Sequence, residues 1–197
     1  MSIEIEAKWT DIDPHQLREK LTAIGATLIQ AETLMRRKNY DEPTPYSVYN
    51  HGWIRVRDEG SRVTLTYKKL KDRTVLGTID ITVVVDDFDK TCAILEAMTL
   101  TCQSYQETRR ETWQHGKVEI TIDMWPWIPT FVEIEAPDEA SLWETAQQLE
   151  FDRTQALHGS VENIYQKYYD VPEEEIARWP EITFVPVPDW LEKKRKT

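Results

Sequence analysis

The sequence predicts an α+β domain built around a curled or closed antiparallel sheet. Three observations lead there: runs with period-two alternation fill most of the chain up to residue 136, a few segments with helical spacing lie between them, and short turn signals join neighbouring runs as hairpins. With 197 residues the chain can form one large domain or two small ones, and one is expected. It covers residues 1–170, followed by a proline-rich tail over 171–197 that packs on the body and frays at its end.

The first run, "IEIEAK", puts Ile3, Ile5 and Ala7 on one face of a strand and Glu4, Glu6 and Lys8 on the other. A helix follows. Asp13 is placed as its N-cap, Pro14 suits its first position, Gln16 completes a capping-box spacing, Leu17, Leu21 and Ile24 share a face, and Gly25 stops it. The runs "ATLIQAETLMRRKNYD", "GWIRVRDEG", "SRVTLTYKKL" and "LGTIDITVVVDD" then read as strands, with Asp58-Glu59-Gly60 as a hairpin turn. A second helix is expected over Phe88–Met98, and two more strands, "CQSYQETRRETWQ" and "KVEITIDMW", meet through His115-Gly116. Pro126 and Pro129 in "WPWIP" belong to a strand end or loop, because proline cannot donate to a sheet ladder. After the strand "TFVEIEAP", a third helix starts at Asp138 with Leu142, Ala146 and Leu149 on one face. A fourth starts near Ser160 with Val161, Ile164, Tyr165 and Tyr168.

Composition narrows the function classes. A hydrophobic content of 40% with eight Trp and eight Tyr supplies a sizeable core. A net charge of −11 argues against nucleic acid or an anionic membrane as partner, since both require a basic surface. No stretch approaches a membrane span and no basic-then-apolar leader opens the chain, so the cytoplasm is the expected location. Cys92 and Cys102 make no disulfide framework, and the four histidines, His15, His51, His115 and His158, lack metal-ligand spacing.

Against this acidic background the strand faces stand out. Arg55 and Arg57 share a face with Trp53, opposite Ile54 and Val56; Thr64, Thr66 and Lys68 lie opposite Val63, Leu65 and Tyr67. Glu119, Thr121 and Asp123 lie opposite Val118, Ile120 and Ile122, and Glu133 and Glu135 opposite Val132 and Ile134. Two packings fit. The charged faces are solvated over one apolar core, or the sheet closes with the charged faces inside and amphipathic helices over the apolar faces outside. Cations and paired carboxylates fall on separate strands, as a polyanion accompanied by a divalent cation requires: arginine grips phosphate oxygens, and Mg²⁺ or Mn²⁺ takes carboxylates plus phosphate oxygens and water.

In that pattern "EIEAK" matches the E-x-E-x-K signature of the CYTH superfamily, the triphosphate tunnel metalloenzymes. The resemblance continues through Tyr40-Asp41, "WIRVR", "TYK", "RRETW", "VEITID" and "FVEIE", in family order over residues 3 to about 170. It implies a closed eight-stranded antiparallel barrel, a tunnel, that binds triphosphates with Mg²⁺ or Mn²⁺. It further implies Glu4 and Glu6 as metal or water-positioning carboxylates and Lys8 as a phosphate contact, these three being the catalytic set. Arg55, Arg57, Lys68 and Arg110 are implied as phosphate clamps, and Glu133, Glu135 and Asp123 as further metal ligands or their support. One of Arg36, Arg37 and Lys38 is also expected inside.

Departures from the family pattern bear on the reaction. "TIDIT" keeps only the Asp80 carboxylate, with Thr82 in place of the second, where many members carry two, Thr108 stands where a basic residue is common, and Val161 replaces a helix lysine that assists catalysis in some phosphatases of the family. The implied activity is hydrolysis of a small triphosphate, inorganic tripolyphosphate first, with ATP or thiamine triphosphate as other candidates. A class IV-type adenylyl cyclase and a non-catalytic polyphosphate-binding module are the alternatives. For the cyclase, the only base platform on offer is Trp125 and Trp127, which read equally well as loop packing. Either a monomer or a homodimer is compatible with the sequence.

Overall fold

A computed structural model describes residues 5–41, 52–70 and 78–196, with the backbone alone for 68–70 and 78–80. The elements are strands β1 (Ile5–Thr10), β2 (Thr27–Asp41), β3 (Gly52–Asp58), β4 (Val63–Leu70), β5 (Thr78–Val85), β6 (Cys102–His115), β7 (Val118–Met124), β8 (Phe131–Ala136) and β9 (Glu181–Ile182). The helices are α1 (Pro14–Ala23), α2 (Phe88–Ala97), α3 (Glu139–Gln148), α4 (Val161–Tyr168), α5 (Glu173–Ile176) and α6 (Asp189–Glu192). No helix among the described residues is long and apolar enough to cross a membrane.

The sheet order is β1-β8-β7-β6-β2-β3-β4-β5, and β9 adds to β6 in parallel. The antiparallel α+β class is as expected. The closed barrel is not seen as such: among the described residues no hydrogen-bonded pairing joins β5 to β1. The chain divides into two compact units, one of residues 34–107 and 178–183, the other of 2–33, 108–177 and 184–197.

In the second unit the apolar parities pack as the sequence demands. Ala7, Trp9, Ile120, Ile122, Val132 and Ile134 form a core with Leu17 and Leu21 of α1 and Leu142, Ala146 and Leu149 of α3. The two helices of this core begin where their caps dictate. Asp13 accepts from the His15 and Gln16 amides, and Asp138 from Ser141. Gly25, at φ 79°, takes the left-handed turn that ends α1. The fourth helix does not join this core. Its Tyr165 is buried and donates from Oη to Pro126 O at 2.7 Å. The terminal basic run is tied down as well: Asp170 N–H meets Lys194 O and Lys196 N–H meets Tyr168 O, both at 2.8 Å.

In the first unit α2 lays Phe88, Cys92 and Leu95 on Tyr40, Val56, Ile54 and Leu65. That fixes the parity of the "MRRKNY" stretch. Arg36 pairs with Asp58 and Asp89, and Lys38 with Glu96, all on the α2 side. Arg37 is left on the opposite face, in register with Arg57, while Asn39 is in register with Arg55.

Candidate active site

The polar face of β1, β8, β7 and β6 is ordered by register into rows. Glu6 lies beside Glu135, and Glu135 beside Glu119; Lys8 lies beside Glu133, and Glu133 beside Thr121; Arg110 lies beside Asp123. Neighbouring strands stand about 4.8 Å apart, so each row brings its side chains within reach of one another.

The centre of this face is covered, and its carboxylates Glu6, Glu119, Glu133 and Glu135 are half-buried. Lys8 is 4% exposed and Asp123 1%, and Thr108 and Thr121 are buried beside them, although Ala7 and Trp9 on the other face of β1 are buried too. At Ala7, Lys8 and Trp9 the strand is thus covered on both faces. Lys8 Nζ donates to Glu6 Oε1 at 2.6 Å and to Gly159 O at 2.8 Å, and pairs with Glu133 Oε1 at 2.8 Å. All three ammonium donors are therefore used. Glu133 Oε2 takes Arg110 Nη2 at 3.1 Å, and Arg110 grips Asp123 through Nε at 2.7 Å and Nη2 at 3.0 Å. Thr121 Oγ1 donates to Asp123 at 2.6 Å and closes the chain.

The electrostatics follow from this crowding. Burial and the neighbouring Glu133 push the Glu6 carboxyl up to about 7. Burial also acts to raise Glu133, but the charges of Lys8 and Arg110 outweigh it and hold that carboxyl at about 2. Burial acts to lower Lys8, yet Glu133 and Glu6 keep its ammonium above the ordinary value. Glu6 thus holds its proton more tightly, and Glu133 less tightly, than an ordinary carboxyl.

Of the residues implied as site residues, the structure brings together Glu6, Lys8, Arg110, Asp123, Glu133 and Glu135. Glu4 lies outside the described residues, as do the side chains of Lys68 and Asp80. Arg55 and Arg57 belong to the other unit, on the face opposite Ile54 and Val56. Asp123 accepts from Arg110 and Thr121. Among the described residues, no three Asp, Glu, His or Cys side chains converge as a preformed metal cage. The oxygen donors present, Glu6, Glu133 and Glu135, still suit an ion such as Mg²⁺, which takes one or two carboxylates and completes its shell with water and phosphate oxygens.

The CYTH domain model matches the sequence over residues 2–169. The chain belongs to the CYTH family. No curated protein matches it by sequence. Solved structures resemble it in fold. One is a candidate adenylate cyclase from Vibrio parahaemolyticus, with a TM-score of 0.64, 17% identity and coverage of 83% of this chain and 97% of that one. A conserved hypothetical protein from Pyrococcus furiosus gives a TM-score of 0.61 and 20% identity over 78% of this chain and 94% of that one. A Hippeastrum protein, described as a candidate adenylyl cyclase with a dominant triphosphatase activity, gives 0.52 and 12% over 88% of this chain and 99% of that one.

Sequence reasoning missed several residues of this CYTH domain's site. Gly159 supplies the third acceptor for Lys8, and Leu157 pairs with the Lys8 backbone in both directions, at 2.9 and 2.8 Å. Only the positive φ of Gly159, 92°, sets it apart, and one glycine before a helix carries no such message in a sequence. Glu119 and Thr121 were legible in parity but carried no motif weight. The "WPWIP" loop is packed: Trp125 is buried, Trp127 Nε1 donates to Val185 O at 2.9 Å, and Tyr169 Oη donates to Trp127 O at 2.6 Å.

Proposed function

We propose that this protein is a divalent-metal-dependent hydrolase of triphosphates, with inorganic tripolyphosphate as the favoured substrate. The observation that carries the reading is the buried chain Glu6–Lys8–Glu133–Arg110–Asp123. Charges removed from water cost several kcal/mol each unless fully paired, and apolar residues would hold a sheet more cheaply, so such an array points to a polyanion and its counter-ion. Glu6, Glu133 and Glu135, with Glu4 from the same E-x-E pair, would hold Mg²⁺ or Mn²⁺, whose positive charge would offset that of the phosphates.

The chain's own groups do the positioning. Arg110, fixed by Asp123, offers its remaining guanidinium donors to phosphate oxygens. Lys8, now paired with Glu6 and Glu133, would offer its ammonium donors to phosphate in the same way. One of Glu4 and Glu6 orients the water that attacks the terminal phosphorus; the bond to the bridging oxygen breaks, and diphosphate leaves. Catalysis of this kind is positioning and electrostatic stabilisation. Arg55, Arg57 and Lys68 are assigned as further phosphate contacts by family resemblance, and single substitutions in the same assay test each one.

Hydrolysis is preferred to cyclisation because the loop proposed as a base platform is committed to packing through Trp127 Nε1, Tyr165 and Tyr169. Phosphate release from tripolyphosphate with Mg²⁺ or Mn²⁺, abolished by chelator, is the expected result; no turnover with either metal across pH 6–10 refutes it. Product analysis with ATP separates the alternatives. Cyclic AMP and pyrophosphate would mark a cyclase, ADP and phosphate a hydrolase, and binding without turnover a non-catalytic module.

A further inference from the structure

The turn between β3 and β4 has hydrogen bonds of its own besides those of the Glu59 side chain. Asp58 Oδ1 accepts from the Gly60 amide at 2.9 Å, and the Glu59 amide donates to Arg62 O at 2.9 Å. A glutamate at such a tip ordinarily extends into water. Glu59 is instead 6% exposed. It turns back along its own strand to Arg57, two residues earlier and on the same parity. Its Oε1 accepts from Arg57 Nε at 2.8 Å and from Arg57 Nη2, and its Oε2 accepts from Arg62 Nε at 2.6 Å. Burial acts to raise this carboxyl, and the charges of Arg57 and Arg62 hold it below the ordinary value.

The grip on Arg57 is side-on. It takes the Nε and Nη2 donors and leaves Nη1 outside the pair. Arg110 is held through the same two donors by Asp123. Two arginines assigned to phosphate, on different strands, are thus fixed along the same edge by a buried carboxylate. A guanidinium held that way keeps its remaining donors in one plane and has little rotamer freedom left to lose when an anion arrives.

We propose that Glu59 is a positioning residue for Arg57: it does not touch the polyphosphate, but it sets the guanidinium that does. This rests on the triphosphate reading above, with inorganic tripolyphosphate as the ligand. The competing role has the opposite sign. A carboxylate that merely cancels the charge of Arg57 weakens anion binding, and its removal tightens it.

The test is calorimetric titration of inorganic tripolyphosphate, in chelator and in Mg²⁺, into wild type, Glu59→Gln, Glu59→Asp, Arg57→Ala and the Arg57→Ala/Glu59→Gln double variant. Melting temperatures are recorded for each. Glu59→Gln is expected to weaken binding about tenfold, the scale for removing a group that orients a ligand-binding side chain. Glu59→Asp, which keeps the charge but withdraws it by one methylene, is expected to weaken it several-fold. The double variant should bind no worse than Arg57→Ala alone, since Glu59 acts only through that arginine. Unchanged or tighter binding in Glu59→Gln, or losses that add in the double variant, overturn the proposal. Should Glu59→Gln fail to fold, Glu59→Asp decides, and wild-type affinity there overturns it. Binding without turnover by the wild type removes the hydrolase reading and leaves the titration series to judge Glu59. No binding at all removes both.

Discussion

Glu6 and Glu133 share one buried pocket of charge, and the proton affinities of the two carboxyls are driven apart, to about 7 and about 2. The stability consequence has a definite sign. Glu6 binds its proton more tightly folded than unfolded, so stability without metal falls as pH rises from the ordinary 4.5 towards 7. Glu133 acts in reverse, and its contribution is lost as pH falls below 4.5 towards 2. Glu6→Gln, which keeps the shape of the neutral acid, should melt like wild type at pH 4.5 and above it at pH 8 in chelator. Its metal-dependent turnover should fall by about a hundredfold, the scale of one lost electrostatic contact to a transition state. Glu19→Gln, on the exposed side of α1 with 70% of its side chain in water, is the control and should change neither. Wild-type turnover in Glu6→Gln would return "IEIEAK" to a plain sheet strand.

Lys8 carries a different cost from the one family resemblance implies. As a phosphate contact alone, it could be truncated with loss of binding only. Its ammonium instead holds Glu6, Glu133 and the Gly159 carbonyl at once. Lys8→Ala therefore leaves a buried carboxylate pair without its cation, a loss of about 3–5 kcal/mol by chemical denaturation in chelator. An equal stability to wild type would show that the pair does not depend on Lys8. Parity put Glu6 with Lys8 on one strand face and Glu133 with Glu135 on another, and the family resemblance added Arg110. Neither could place the carbonyl of a residue 151 positions away, because a backbone acceptor has no signature in sequence.

At the scale of elements, caps and parities were the legible part. Asp13 and Asp138 each accept the backbone amides that open a helix, and the apolar positions of α1 and α3 fall on the sheet where period and spacing put them, whereas the Asp87 cap of α2 was not read. The short pieces after Tyr169 were not legible: α5, β9 and α6 hold two to four residues each, too few for any period to register. The segment before α4 is the element most tied to chemistry. Gly159 sits at φ 92°, and a Cβ there would meet Asn163 Nδ2 at 2.7 Å. Gly159→Ala thus adds left-handed strain of about 1–2 kcal/mol and shifts the carbonyl that Lys8 uses. Turnover should fall at least tenfold with a modest drop in melting temperature, while Gly116→Ala, whose Cβ meets nothing within 4 Å, should lower stability without that loss of turnover. Equal turnover in the two variants would sever the 157–160 segment from the site.

For the whole molecule, the family match ends at residue 169, yet the chain beyond it is built into both compact units. In one, Trp179 and Ile182 are buried, the Ser104 hydroxyl donates to Trp179 O at 2.7 Å, and β9 pairs with Tyr105 and Gln106 of β6. In the other, Val171, Ile176 and Leu191 are buried, and Arg195 bridges to Tyr169 and lies over its ring at 4.9 Å. Burying one such side chain contributes about 1.5–3 kcal/mol. Five of them approach or exceed the whole stability of an ordinary domain, about 5–15 kcal/mol. A chain ended at Asp170 keeps every residue that resemblance assigns to triphosphate, so a tail that only decorates the surface would leave both folding and turnover intact. The contacts argue otherwise: this truncation should be insoluble or should lose its cooperative melting transition. A chain ended at Pro188, which removes Leu191, the Arg195 bridge and the Lys194 and Lys196 backbone bonds but keeps Trp179 and Ile182, should fold with a lowered melting temperature and retain turnover. A soluble, cooperative and active 1–170 chain would show that the tail packs on the units without holding them.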